Sequence, residues 1–186
     1  MLETSKGNSV LITEQSLSDT SNQQERLADL HWITGLWEGE GCFSIFIGSG
    51  GRVYASATLP NTDFVLIEEL HNALTRIGVG HYINERRRKN PKHSASKTVY
   101  VCGFKRVKAL LDQILPLLRG EKRKVALVVQ RFVERRLSLP KNAHYTSADF
   151  ADMQEVRSLN KKGPQVSSET IRQASEILSE DIVQVA

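Results

Sequence analysis

Two glutamates, Glu38 and Glu40, alternate with glycines where a predicted helix runs directly into a predicted strand. Apolar residues before them, ending at Trp37, recur at the spacing of one helix face, so the acids fall in the last helical turn. A helix C-terminus disfavours negative charge, and a divalent cation would compensate Glu40. The pair is therefore a candidate metal site. On periodicity alone the same residues equally fit an amphipathic helix with a C-cap at Gly41 and two solvated glutamates.

Gly35 and Gly39 lie four residues apart in the same predicted helix. Glycine costs about 1 kcal/mol relative to alanine inside a helix. Two glycines near the helix end therefore indicate the close approach of another segment. They leave a groove in which another backbone can approach closely.

The nonamer at residues 33–41, Ile-Thr-Gly-Leu-Trp-Glu-Gly-Glu-Gly, resembles the signature motif of the LAGLIDADG homing endonucleases. Glu38 and Glu40 stand at its two acidic positions. The resemblance implies that Glu40 is a metal ligand and that the backbone carbonyl of Gly39 points into the metal site. The motif departs from the commonest form in having Glu instead of Asp at both acidic positions and Trp37 in the apolar seam. Glutamate keeps the charge on a longer arm, so activity remains the expectation.

Magnesium commonly takes one or two carboxylates together with phosphate oxygens and waters, so one glutamate is too little to hold it alone. Mg²⁺, or another divalent cation such as Mn²⁺, is the expected cofactor. Two motif helices packed through their glycines would bring two copies of Glu40 to the two scissile phosphates. Because the chain holds one motif, we predict a homodimer. The predicted interface residues are Ile33, Gly35, Leu36 and Gly39.

The chain has 186 residues and 40% hydrophobic content, enough for one domain with a core. Its net charge is only +4, yet residues 85–136 hold sixteen Lys or Arg against four acids, a net +12 that leaves −8 for the rest. Charge concentrated in this way suits a polyanion. A solvated basic helix face is the alternative.

Cys42 and Cys102 are the only cysteines, and their separation gives neither a disulfide framework nor a zinc spacing. We interpret both as small strand residues. No stretch approaches about 18 apolar residues, and residues 1–24 are polar, so neither a membrane span nor a secretory signal is predicted. The expected location is a reducing intracellular compartment, either a prokaryotic cytoplasm or an organelle.

Hydrophobic periodicity predicts the element order α-β-β-α-β-β-α, typical of an α+β fold with a four-stranded antiparallel sheet and helices on one face. We expect structure to begin near Arg26 after a flexible tail over residues 1–24. The predicted strands cover residues 42–48, 52–59, 82–88 and 98–104, and a long helix covers residues 121–137. Further helices are predicted at residues 148–159 and 168–178, with a linker at 161–164. The resemblance covers residues 27–178 and implies a saddle-like sheet. The predicted divisions are the tail, an endonuclease domain at 25–160 and a C-terminal segment at 161–186.

Alternate side chains of a strand lie on opposite faces, which separates a core face from an exposed face. The apolar face includes Phe43, Ile45, Ile47, Val53, Ala55, Ala57, Leu59, Ile83, Val99 and Val101. The exposed face carries hydroxyl, amide, guanidinium and aromatic groups but no acids, a mixture suited to reading base edges. The predicted DNA contacts there are Ser44, Phe46, Arg52, Tyr54, Ser56, Thr58, Asn84, Arg86, Arg88, Thr98 and Tyr100. Lys124 is predicted to contact phosphate, and the resemblance implies that the sheet lies in the major groove of double-stranded DNA.

The resemblance also implies two further catalytic positions. Asn61 falls where the family usually keeps a polar residue that positions the nucleophilic water, although a helix N-cap role fits it equally. A basic residue that stabilises the transition state should follow Pro116. Direct alignment with the family's spacing places Glu121 at this position, and an acid cannot act in this way. A shift of one residue places Lys122 there instead.

These observations predict a homodimeric, Mg²⁺-dependent, site-specific DNA endonuclease similar to intron-encoded homing enzymes. It would cut a long, roughly palindromic site and leave short 3′ overhangs. The first alternative is a nucleic-acid-binding protein that does not cleave, such as an RNA maturase or a decayed homing protein. The second is a structural α+β module with a basic surface.

Overall fold

The computed structural model describes residues 14–48, 51–86, 94–141 and 143–160. The described part contains five helices and one four-stranded antiparallel sheet, which confirms the predicted fold class. In chain order the elements are α1 (Glu14–Gly39), β1 (Cys42–Ile47), β2 (Val53–Asn61), α2 (Phe64–Arg76), β3 (Tyr82–Arg86), β4 (Ser96–Cys102), α3 (Phe104–Ile114), α4 (Glu121–Ser138) and α5 (Ser147–Leu159).

The sheet has the order β1-β2-β4-β3, so the two hairpins meet at the β2–β4 pair. In the register, Ala57 lies opposite Phe43 on one side and Val101 on the other. This row is completely buried. The register therefore places the apolar residues of three strands on one face, and the helices cover that face.

Ile83 is an exception to the predicted apolar face. It pairs with Val99 and shares its side of the sheet, yet 38% of its surface is exposed. The reason is its position, because β3 is an edge strand beyond the helical layer that covers β1, β2 and β4. The prediction that Ile83 belongs to the core is wrong.

The first helix begins earlier than predicted. α1 starts at Glu14, so the expectation that structure begins near Arg26 is wrong. Residues 22–28 of α1 are exposed, which explains why this part shows no apolar period. Residues 1–13 of the predicted tail, the predicted linker and the predicted helix at 168–178 lie outside the described residues. Although α1 has 26 residues, neither it nor any other described helix has the apolar character needed to cross a membrane.

Two predicted strand ends are shifted. β4 ends at Cys102 because Gly103 adopts φ +93° and serves as the N-cap of α3, which makes Phe104 helical. At the other hairpin, β2 continues past Leu59 to Asn61. This extension carries Asn61 to the end of the sheet that faces the motif helix.

Helix α5 is fixed to α4 by a network of buried charges. Asp149 and Asp152 are 1% and 3% exposed. Arg135 Nε donates to Asp149 at 3.0 Å, and Arg131 Nε donates to Asp152 at 2.9 Å. Arg136 is buried as well and lies 3.4 Å from Asp149. Part of the basic charge counted in residues 85–136 is therefore neutralised inside the domain instead of facing a polyanion.

The last turn of α4 and the segment after it contact the start of β2. Arg136 donates to the carbonyls of Ala143 and His144 and stacks on Tyr145 at 4.5 Å. Backbone Val53 N–H donates to the Tyr145 hydroxyl at 3.1 Å. The α4–α5 connection thus supports the start of β2.

We expect Asp149→Ala to lower the free energy of unfolding by about 3 to 5 kcal/mol, because it leaves a buried arginine without its carboxylate. Chemical denaturation monitored by circular dichroism measures the change. The control is Glu155→Ala, which breaks only the exposed pair with Arg131 and should cost less than about 1 kcal/mol. Equal losses for the two variants would contradict a stabilising role for the buried network.

Candidate metal and nucleic-acid site

The motif helix stops abruptly at its glycines. α1 ends at Gly39, and the backbone N–H groups of Glu40 and Gly41 donate back to the Leu36 carbonyl at 2.8 and 3.2 Å. Gly41 does not have a positive φ, so the C-cap interpretation of this residue is wrong. It is needed because a Cβ there would lie 2.4 Å from the buried Trp37 ring. The chain passes close over Trp37 and enters β1 directly.

The first motif acid, Glu38, is engaged within the chain. Its Oε1 accepts hydrogen bonds from the backbone N–H groups of Arg119 and Gly120, the latter at 2.9 Å. These two bonds, first that of Arg119, lower the pKa of the Glu38 carboxyl below its ordinary value. Glu38 therefore binds the start of α4 and is not a solvated glutamate.

The second motif acid, Glu40, is exposed and free. Its carboxylate has no hydrogen-bond or salt-bridge partner among the described residues. It lines an open cleft whose other lining residues are Pro60, Asn61, Thr62 and Ser96. The two acids, two residues apart in sequence, thus differ: one oxygen of Glu38 is engaged by two N–H groups, whereas both oxygens of Glu40 are without a partner in the described residues.

Asn61 lies in the same cleft as Glu40, so the structure brings these two predicted catalytic residues together. Its side-chain oxygen accepts from the Asp63 N–H at 2.9 Å. The N-cap of α2 is Asp63, which accepts from Val65 N–H and Leu66 N–H at 2.9 and 3.1 Å. The alternative that Asn61 caps this helix is therefore wrong, and its amide nitrogen remains available within the cleft.

Lys122 reaches the same end of the motif helix from α4. Its ammonium donates to the carbonyl of Gly41, the residue after Glu40. Glu121 pairs with Lys124 at 2.8 Å. The structure thus brings Lys122 to the end of the motif, and its catalytic role stays a prediction.

The sheet face away from the helices carries the predicted reading residues. Across this face, the register groups Phe46 with Tyr54, Ser44 with Ser56 and Cys102, Cys42 with Thr58, Tyr100 and Tyr82, and Pro60 with Thr98 and Asn84. None of these residues is acidic. Phe46 and Tyr54 are 41% and 37% exposed, and Arg52 is exposed in the hairpin loop just before β2. We call this surface the open sheet face.

Some predicted contacts need correction or lie outside the described part. Ser56 is only 3% exposed and shares a 2.8 Å hydrogen bond with Ser44, so its predicted DNA contact is wrong. It is a short side chain in a central strand between taller neighbours. Arg86 ends β3 with the parity of Asn84, but its side chain is outside the description, and Arg88 lies wholly outside it.

Tyr82 lies on the open sheet face, but the predicted DNA contacts did not include it. It is 48% exposed and stacks on Tyr100, with ring centroids 5.1 Å apart and planes inclined by 6°. On the other hairpin, Phe46 and Tyr54 stack at 5.6 Å. The strand parity used for Asn84 would have identified Tyr82 as well.

The glycines of α1 lie on an exposed stripe. A Cβ added at Gly35 or Gly39 would meet no atom within 4 Å in the described part of the chain. Leu36 is half-buried between them, and Trp32, one turn earlier, is 39% exposed. Ile33 is completely buried in the chain's own core, so its predicted place at a dimer interface is wrong.

Within the described ranges, no group of three or more His, Cys, Asp or Glu residues is placed to hold a metal ion. Glu40 is the exposed carboxylate at the helix end, and the last carbonyls of α1 have no partner within the helix. This donor set fits an oxygen-seeking divalent cation only if further oxygens come from outside the single chain.

Comparisons with known proteins agree with this geometry. Residues 28–115 match the family model described as a LAGLIDADG-like domain. No curated protein sequence matches the chain at a significant level.

Three solved structures with similar folds are complexes with DNA. The homing endonuclease I-CvuI, bound to its target in the presence of 2 mM calcium, aligns with a TM-score of 0.62 and 19% identity over 84% of this chain and 98% of its own. The LAGLIDADG meganuclease I-AabMI, bound to uncleaved DNA, aligns with a TM-score of 0.57 and 17% identity over 78% of this chain and 48% of its own.

A third match is the LAGLIDADG homing endonuclease I-GzeII in complex with its DNA target, with a TM-score of 0.55 and 16% identity over 77% of this chain and 47% of its own. The chain thus spans nearly all of I-CvuI and about half the length of the other two. Residues 28–115 are thus similar to a LAGLIDADG-like domain, and the described chain has the fold seen in the LAGLIDADG homing endonuclease structures.

Proposed function

We propose that the protein is a homodimeric, Mg²⁺-dependent, site-specific DNA endonuclease of the homing type, encoded within an intron. It cuts both strands of a long, nearly palindromic site and leaves short 3′ overhangs. The observation that carries the proposal is the placement of Glu40. Its free carboxylate stands at the end of the motif helix, beside an open sheet face without acids.

Glu40 and the carbonyl of Gly39 are the groups that would hold the metal, with DNA phosphate oxygens and waters completing its shell. A bound Mg²⁺ supplies an activated water and neutralises charge on the phosphate in the transition state. Asn61 lines the same cleft and would orient the attacking water through its amide. Lys122, held at Gly41, would place a positive charge beside the phosphate.

The open sheet face supports recognition of duplex DNA. Its amide, hydroxyl and aromatic groups provide donors, acceptors and apolar contacts for base edges in a major groove. The DNA complexes of the structural relatives are consistent with this use. Lys124 would contact phosphate, because its exposed pair with Glu121 is weak enough to exchange for a DNA oxygen.

The exposed stripe of Gly35 and Gly39 supports the homodimer. Two such helices can approach closely, since a Cβ added at either glycine would meet no atom of the described residues within 4 Å. Each subunit would then supply one Glu40 and one open sheet face. A two-fold axis between the subunits requires the two half-sites of the DNA target to be related in the same way.

The alternative without cleavage, an RNA maturase or a decayed homing protein, is less well supported. A decayed enzyme has no need to keep an exposed acid at the cleft. The open sheet face also suits a DNA major groove better than the deep, narrow groove of an RNA helix. Competition between DNA containing the selected site and structured RNA separates the two functions.

The direct test uses a plasmid library with randomised inserts and the purified full chain. Linear product should accumulate with Mg²⁺ and disappear with EDTA. Selective binding without any cut, with either Mg²⁺ or Mn²⁺, would favour the non-cleaving alternative instead.

Base reading by the open sheet face gives a separate prediction. Asn84→Ala should cost about 1 to 3 kcal/mol of binding free energy at one base pair in each half-site and relax the preference there. The matched control is Asn72→Ala, an exposed asparagine on α2. Binding to all single-base variants of the selected site measures both. If the preference profile of Asn84→Ala equals that of wild type, the reading face has been assigned to the wrong side of the sheet.

A further inference from the structure

The two acids of the motif have different environments. Metal binding does not explain the hydrogen bonds that Glu38 makes. Its Oε1 accepts from two successive backbone N–H groups, those of Arg119 and Gly120, immediately before α4. An oxygen engaged in this way is a poor candidate for a metal ligand. Glu38 must therefore serve the site by other means.

Helix α4 has no cap of its own. Its N-cap is Gly120, which makes no side-chain capping bond. A carboxylate is the best acceptor for the exposed N–H groups of a helix start and also complements its dipole. Glu38 supplies a carboxylate to the N–H of the N-cap residue Gly120, 82 positions later in the chain, and to the N–H of Arg119 before it. The end of α1 and the start of α4 are thereby joined.

A second tie connects the same two helix ends. Lys122, in the first turn of α4, donates to the carbonyl of Gly41. In both ties the α4 side donates and the motif side accepts. The N–H groups of Arg119 and Gly120 donate to the Glu38 carboxylate, and the Lys122 ammonium donates to the Gly41 carbonyl. Glu40 lies between Glu38 and Gly41 in sequence, and its carboxylate has no partner among the residues that the structure describes.

We propose that Glu38 is a positioning residue: its carboxylate fixes the first turn of α4 so that Lys122 is held beside Glu40. The inference rests on the proposed function for the step that Lys122 assists. The placement of Lys122 itself does not depend on that function. The two acids of the motif thus have different tasks. Glu38 positions the Lys122 ammonium, and Glu40 binds the metal ion.

Two substitutions separate the hydrogen-bond acceptor from the rest of the side chain. Glu38→Gln keeps an oxygen at the same distance, whereas Glu38→Ala removes the acceptor. The matched control is Glu68→Ala, which removes an exposed glutamate from α2. Thermal unfolding identifies the temperature range in which all variants are folded.

The placement of Lys122 is measured without DNA or metal. In spectra of ¹⁵N-labelled lysine side chains, a hydrogen-bonded Lys122 ammonium gives a separate signal, which is identified by its loss in Lys122→Met. We expect this signal in wild type, Glu38→Gln and Glu68→Ala, and its loss in Glu38→Ala. Exchange of the Arg119 and Gly120 amide protons should quicken in the same variant by about ten-fold or more.

The consequence for cleavage is measured in single turnovers at saturating DNA. Glu38→Ala should slow cleavage about 100-fold, since a misplacement of about 1 Å has that effect, with affinity for DNA in Ca²⁺ unchanged within about three-fold. Glu38→Gln should stay within about five-fold of wild type because its oxygen still accepts. In a Lys122→Met background, removing Glu38 should add less than about three-fold, because residues that act as a unit are not additive.

An unchanged Lys122 signal in Glu38→Ala would overturn the proposal, whatever the protein does to DNA. So would full additivity of the Glu38 and Lys122 effects, since Glu38 would then act by another route. If wild type does not cleave DNA at all, the proposed function fails, and the lysine spectra alone decide whether Glu38 positions Lys122.

Discussion

Glu40→Gln is expected to slow cleavage by about 1,000-fold or more, because the substitution removes a metal-binding charge worth several kcal/mol in the transition state. Specific DNA binding in Ca²⁺ should stay within about three-fold of wild type, since the carboxylate makes no hydrogen bond or ion pair with the described part of the chain. Glutamine keeps the size of the side chain. Single-turnover cleavage and equilibrium binding on the same DNA measure the two effects.

The control for this prediction is Glu68→Gln, the same chemical change at an exposed position of α2. It should alter neither cleavage nor binding by more than about two-fold. If Glu40→Gln cuts at a rate near that of wild type with Mg²⁺ present, Glu40 is not the metal ligand.

Gly39→Leu is expected to give a folded monomer without detectable double-strand cleavage. In the single chain the added side chain enters open space, because a Cβ at Gly39 meets nothing within 4 Å among the described residues. Leucine also favours a helix more than glycine does, by about 0.8 kcal/mol, so the chain itself should not be destabilised. Any large effect must therefore arise where a second helix approaches.

Sedimentation of the protein on its DNA measures the assembly, and circular dichroism verifies that the variant is folded. The control is Asn72→Leu, which places the same side chain on an exposed face of α2 and should leave assembly and cleavage unchanged. A wild-type protein that sediments as a monomer on its DNA would contradict the proposed dimer. So would a Gly39→Leu variant that remains dimeric and cuts.

The sheet was predictable because alternation is a local signal. Phe43, Ala57 and Val101 each alternate with polar neighbours, and the observed register unites them in one buried row. Ile83 shows the limit of this signal. Its strand alternates in the same way, but whether a helix covers the edge of a sheet depends on tertiary packing.

The start of α1 was missed for a related reason. Residues 22–28 face solvent, so they carry no apolar period to detect. Their helix is continuous with the buried segment that ends at Trp37. A helix that extends beyond its core is a property of the assembled fold and cannot be recognised from amphipathic spacing.

Within the site, the resemblance could select Glu40 as the metal ligand, but the sequence could not show what Glu38 contacts. Each acid is followed by a glycine, whereas the partners of Glu38, the N–H groups of Arg119 and Gly120, lie about 80 residues away in the chain. Ser56 shows the same limit. Its strand parity was right, but parity could not show that Ser56 is buried in the assembled sheet, where it bonds Ser44 of the neighbouring strand.

The most direct test of the account is to determine both strand ends of every molecule cut from a randomised DNA library with Mg²⁺. Two copies of Glu40 related by a two-fold axis should cut both strands of one long, nearly palindromic sequence, with the same short 3′ overhang on each side. Glu40→Gln should yield no such ends. Cuts confined to one strand, ends scattered without a shared sequence, or a consensus lacking two-fold symmetry would contradict a homodimeric site-specific endonuclease.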